Sequence, residues 1–128
     1  MLSNDALITA GYVTDGELRA LYEHATCFVF PSFYEGFGLP PLEAMHCGCP
    51  VLVSDRASLP EVCGEAAVYC DPDDPADIAQ QLRRILTSDL LRSELRTAGL
   101  ERTRQFSWAK SAAALNELLT TETMQVAA

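Results

Sequence analysis

Two carboxylates, Glu35 and Glu43, bracket the stretch EGFGLPPLE. Between them lie a pliable Gly36-x-Gly38 turn and a stiff Pro40-Pro41 pair. Glycine lets the backbone turn and admits a ligand closely, with no Cβ in the way. The amides of Gly36, Phe37, Gly38 and Leu39 can point together at an anion in front of a helix. The prolines hold φ near its helical value and start that helix sharply. A carboxylate at either end can accept from vicinal hydroxyls, or stabilise positive charge growing at a reacting carbon. The plainer alternatives are that Glu43 answers the helix dipole from the first turn and that Glu35 is a solvated loop acid.

Other chemistries fit less well. A dinucleotide fingerprint wants a third glycine where Pro41 stands, and no Gly-Lys-Ser/Thr phosphate loop occurs. No Gly-x-Ser-x-Gly nucleophile elbow is present. A two-carboxylate glycosidase is conceivable, but acids straddling a helix start suit hydroxyl binding better than attack from opposite faces of a sugar. The cysteines Cys27, Cys47, Cys49, Cys63 and Cys70 are odd in number and lack zinc-site spacing. They read as buried, reduced thiols.

The elements that must hold this stretch follow from hydrophobic patterning. LITAGYV, residues 7–13, reads as a strand. Thr14 with Glu17 makes a capping box, and Leu18, Leu21, Tyr22 and Ala25 form one helical face. CFVFPS, residues 27–32, is a continuous apolar run, as in a parallel strand covered on both faces. After EGFG, residues 42–47 form a short helix ending near Gly48, and PVLVS, residues 50–54, is another strand. AAVYC, residues 66–70, is a further strand candidate, and Asp74-Pro75 opens a helix whose buried stripe is Ile78, Leu82, Ile85 and Leu86. Leu91, Leu95 and Ala98 mark a second C-terminal helix; Trp108, Ala112, Leu115 and Leu119 mark a third, with Trp108 read as core. The alternation predicts an α/β fold, a Rossmann-like parallel sheet with flanking helices. EGFGLPPLE then falls at a strand's carboxyl end, where open parallel sheets bind ligands.

Composition narrows the partners. The 128 residues suit one domain, and 48% hydrophobic with 21% charged residues is a globular balance. A net charge of −9 leaves no basic footprint for nucleic acid. No apolar run approaches a membrane span and no signal segment opens the chain. Four strands are few for such a sheet, so further sequence is expected upstream.

The run PSFYEGFGLPPLEAMHCGCPVLVSDRASLPEVCGEAAVYCDPDD closely resembles the C-terminal domain of retaining GT-B-fold glycosyltransferases, with GYVTDGELRALYEHA upstream and FSW downstream in register. That family carries two glutamates seven residues apart, matched by Glu35 and Glu43. The resemblance covers roughly residues 7–119 and implies a partial donor-binding domain over residues 1–119, with residues 120–128 a disordered tail. It implies transfer of a hexose from a UDP-, GDP- or ADP-sugar to an acceptor hydroxyl with retention. No cofactor or metal is expected. Glu35 would contact the donor sugar near the reacting centre, and Glu43 the ribose hydroxyls. The amides of Gly36, Phe37, Gly38 and Leu39 would meet sugar and diphosphate, and Val13 would lie near the base. The basic pair for the diphosphate belongs to an earlier element, and the acceptor glycan or lipid-linked saccharide to an N-terminal domain. Arg19, Arg56 and Lys110 match neither place. The resemblance implies polysaccharide biosynthesis in the cytoplasm or at the inner face of the membrane, and predicts that this chain alone is inactive. Alternatives are a non-catalytic nucleotide-binding or assembly module, or a sugar-nucleotide epimerase of GT-B architecture.

Overall fold

The computed structural model describes residues 6–126, with side chains as far as residue 121. Thr14 starts α1 (Asp15–His24) with the expected capping box: its hydroxyl accepts from the Glu17 N–H, and Glu17 reaches back to the Thr14 N–H. β1 (Phe28–Phe30) follows, then α2 (Leu39–His46) and β2 (Val51–Ser54). The short α3 (Leu59–Cys63) and a 3-10 turn (Gly64–Ala66) lead into β3 (Val68–Cys70). The chain then runs through α4 (Pro75–Thr87), α5 (Asp89–Thr103) and α6 (Trp108–Val126). The strands pair in parallel in the order β1-β2-β3, with Phe28 opposite Val51 and Leu52 opposite Val68.

Side-chain alternation along β2 splits the core into two layers. Val51 and Val53 face Tyr22 of α1, Leu42 and Met45 of α2, and Leu59 and Val62 of α3. Leu52 faces the other way, with Val68, Cys70, Ile85 of α4 and Leu95 of α5. β2 is buried throughout, whereas β1, whose continuous apolar run predicts cover on both faces, is only half-buried, at the edge of the described sheet. α5 crosses from one layer to the other. Gly99 lets it approach α2 so closely that an added Cβ would stand 3.1 Å from Met45 Cγ.

Several expectations are corrected. Residues 7–13 form no strand, and Leu7, Ile8 and Tyr12 are exposed. A strand needs a neighbour to take up its N–H and C=O groups, and no described strand pairs with this segment. Helix α2 begins at Leu39, three residues earlier than patterning alone placed it, because both prolines fit its first turn. Glu43 therefore lies in the second turn, beyond the easy reach of the helix dipole that the plain reading invoked. Leu21 and Leu86 fall off the buried stripes of α1 and α4. Trp108 is 82% exposed rather than core, and α6 keeps Leu115 exposed as well. α6 continues past Thr120 to Val126, and residues 127 and 128 lie outside the described residues.

Candidate functional site

Residues 31–38 leave the carboxyl end of β1 and enter α2 through Gly38, which adopts φ 101° and ψ 51°. Only glycine takes that backbone readily, and a Cβ there would also stand 2.7 Å from Leu59 Cδ2. At Gly36, by contrast, an added Cβ would meet nothing within 4 Å. The loop therefore has a packed side, against α3, and an open side.

Hydrogen bonds from serines hold the packed side. Ser54, fully buried at the end of β2, donates its hydroxyl to the Ser32 carbonyl. The Ser32 hydroxyl donates to Glu35 Oε1 at 2.8 Å and so orients that half-buried carboxylate. Ser58, in the turn after β2, lies 2.8 Å from the Glu35 carbonyl oxygen and 2.9 Å from that of Phe37. None of these serines stood out in the sequence. The usable signal was placement: Ser32 and Ser54 fall at the carboxyl ends of neighbouring parallel strands, next to the loop.

The predicted site residues do not all meet in one cleft. Glu43 is exposed and lines a cleft of about 590 Å³ between α1 and α2, with Leu18, Tyr22, Leu39 and His46. Burial pushes the Tyr22 phenol up, and the nearby Glu43 carboxylate adds to the shift. Phe37 and Leu39 line an adjoining apolar cleft of about 430 Å³ with Leu42, Phe106 and Trp108. The Phe37 ring meets Phe106 edge-on at 5.8 Å, and Arg102 lies over the Phe106 ring at 5.2 Å. Glu35, Gly36 and Val13 line neither cleft. Phe33 and Tyr34 are exposed.

Arg19 lines the cleft with Glu43, but it and the other two cations singled out in the sequence, Arg56 and Lys110, already have partners within the chain. Arg56 pairs with Asp55, Asp71 and Asp73 at 3.0, 2.8 and 3.3 Å, and Arg19 pairs with Glu23 at 2.7 Å. Lys110 donates to the carbonyls of Arg104 and Gln105. All the cysteines are free thiols. Burial pushes Cys27 up to about 12 and Cys63 to about 11, so both stay protonated. Among the described residues no three His, Cys, Asp or Glu side chains group to hold a metal ion.

Comparison with known proteins gives this loop its context. The sequence model of the family described as "Glycosyl transferases group 1" matches residues 2–102. The chain belongs to that family. It is 46% identical over 111 residues to the serotype-specific mannosyltransferase WbdA of Escherichia coli, covering 87% of this chain and 14% of WbdA. To the O-antigen chain mannosyltransferase B of Escherichia coli it is 50% identical over 98 residues, covering 77% of this chain and 26% of that protein. Among solved structures, sucrose-phosphate synthase from Thermosynechococcus elongatus superposes with a TM-score of 0.84 and 30% identity. That match covers 95% of this chain and 31% of the synthase. The fold is thus that of a GT-B Rossmann-like domain. The group 1 glycosyl transferase chain described here spans between about a seventh and a third of these proteins. Its EGFGLPPLE loop lies inside the matched region.

Proposed function

We propose that this chain is the nucleotide-sugar-binding part of a retaining glycosyltransferase, which moves a hexose from a nucleotide-diphosphate sugar to an acceptor hydroxyl. The observation that carries the reading is the EGFG loop, held at the carboxyl end of β1 with one side open, in a chain of the group 1 family. Glu35 contacts the donor sugar and acts at the reacting centre. Glu43 holds the ribose hydroxyls, and Gly36, Phe37, Gly38 and Leu39 supply amides to sugar and diphosphate. Val13 lies near the base. No metal or other cofactor takes part. The named mannosyltransferases support a mannosyl donor and a polysaccharide product. The acceptor, a glycan or lipid-linked saccharide, and the cations that neutralise the diphosphate are met by sequence outside this chain. The whole enzyme works in the cytoplasm or at the inner face of the membrane; no helix among the described residues is long and apolar enough to cross one.

Isothermal titration of GDP, UDP and ADP, each with and without its sugar, tests the assignment. A carboxylate accepting from ribose hydroxyls is worth about 1.5–3 kcal/mol, so Glu43→Ala weakens nucleotide binding by about tenfold or more. If wild-type and Glu43→Ala chains bind equally, or neither binds, the ribose assignment is wrong. The purified chain transfers no measurable sugar by itself, and detectable transfer would overturn the view that it needs the rest of the enzyme.

A further inference from the structure

Ser58 is the N-cap of α3, yet its hydroxyl makes no capping bond, although serine there normally accepts from the helix's first turn. Its Oγ reaches back to the loop after β1, within hydrogen-bond distance of the Glu35 and Phe37 carbonyls. A hydroxyl has one proton, so the two carbonyls share it in a three-centred bond. The consequence appears on the opposite face of the loop. No peptide bond here is cis, and in a planar trans peptide the N–H points opposite to the C=O. Carbonyls of Glu35 and Phe37 turned toward Ser58 therefore turn the N–H groups of Gly36 and Gly38 away from it. No backbone bond among the described residues uses either N–H. Gly38 is itself buried, where an unpaired N–H is rare.

The turn that delivers Ser58 is held independently of the loop. Ala57 just before it takes φ 51°, the one non-glycine residue with positive φ among those described. Arg56 is fixed by its ion pairs to Asp55, Asp71 and Asp73. Such a conformation persists only where its surroundings over-determine it.

We infer that Ser58 is a positioning residue for the donor loop. Its single hydroxyl sets the Glu35 and Phe37 carbonyls so that the Gly36 and Gly38 N–H groups present one face to the oxygens of a bound nucleotide sugar. The assignment of a ligand to that face rests on the function proposed above; the clamp itself does not. Two variants separate side-chain chemistry from folding: Ser58→Ala removes the hydroxyl, and Ser58→Thr keeps it in a backbone conformation (φ −77°, ψ −16°) that threonine accepts. Backbone ¹⁵N order parameters of Gly36 and Gly38 in the ligand-free chain are expected near 0.85 in wild type and Ser58→Thr, falling below about 0.6 in Ser58→Ala. Titration with GDP-mannose and UDP-glucose is expected to show about a tenfold loss for Ser58→Ala, restored by Ser58→Thr. Equal order parameters in wild type and Ser58→Ala would sink the clamp whatever the binding shows. Order parameters behaving as expected, with no nucleotide sugar bound by wild type, would keep the clamp and sink the donor reading.

Discussion

Gly38→Ala and Gly36→Ala are chemically identical substitutions two residues apart, and the structure predicts opposite outcomes. At Gly38 the backbone has φ 101°, and a new Cβ would stand 2.7 Å from Cδ2 of a fully buried Leu59. Left-handed backbone costs a non-glycine residue ~1–2 kcal/mol. Overfilling a packed site costs ~1–3 kcal/mol more, so the two together reach roughly 2–5 kcal/mol. That is a large part of the ~5–15 kcal/mol stability of an ordinary domain. At Gly36 the added methyl meets open space and φ is not left-handed, so stability should stay within about 0.5 kcal/mol of wild type. Urea unfolding followed by far-ultraviolet circular dichroism measures both, with m unchanged if only stability moves. Binding should reverse the order of severity relative to stability. Gly36→Ala puts a methyl on the side proposed for the donor and weakens nucleotide-sugar binding in a fully folded chain. Equal destabilisation by the two variants, or a Gly38→Ala chain as stable as wild type, would refute the division into packed and open sides.

Three further outcomes follow from charge and exposure. The Asp71 carboxyl is held below its usual range by the Asp73 N–H and by Arg56, and Asp77 by Gln81 and the Asp71 N–H. Depressed carboxyls contribute stability that is present above the unfolded value of about 3.9 and lost as pH falls through the folded one. Urea midpoints should therefore drop below about pH 4, and Arg56→Ala should blunt that drop; an unchanged acid slope in the variant would disprove Arg56's part. A thiol reagent at pH 8 should reach half-buried Cys47 before Cys27, which is half-buried too but whose thiol is pushed up to about 12, and leave buried Cys63 unmodified until the chain unfolds. Rapid labelling of Cys63 in the native chain would contradict its burial. Trp108, the single tryptophan, should emit as a water-exposed indole and be freely quenched by acrylamide; blue-shifted, protected emission would show that α6 is covered.

Patterns that meet their partners within the chain were legible from residue types. The capping box at Thr14, the Asp74-Pro75 helix start and the uninterrupted burial of β2 each appear as written, because each rests on local chemistry or on surfaces present here. Residues 7–13 and the start of α6 carry equally good apolar patterns, yet Leu7, Ile8, Tyr12 and Trp108 stay exposed. Hydrophobic spacing marks a face that favours a second surface, and it cannot say whether that surface lies in the same stretch of sequence. The candidate loop was legible through its glycines, prolines and acids. Its support was not, since Ser54 and Ser58 lie more than twenty residues from the groups they hold. Hydroxyl-to-carbonyl bonds leave no periodicity to read.

The division of labour proposed for the two glutamates follows from what each is built on. Glu35 sits in a loop whose carboxylate is oriented by Ser32 and whose backbone is tied by Ser58. Glu43 projects from the second turn of α2 into the space beside Tyr22. Two carboxylates acting as acid and base must flank one scissile bond, and Glu35 does not line the cleft that Glu43 lines. A ligand with hydroxyl groups at both ends, joined by an anionic linker, can engage both. The two variants should then separate in kind. Glu43→Gln lowers affinity for a nucleoside diphosphate and for its sugar conjugate by the same factor, because the ribose is common to both. Glu35→Gln leaves the nucleoside diphosphate bound as in wild type and removes only the increment that the sugar adds. Parallel losses for both ligands in Glu35→Gln would place Glu35 on the nucleotide and overturn its assignment to the donor sugar.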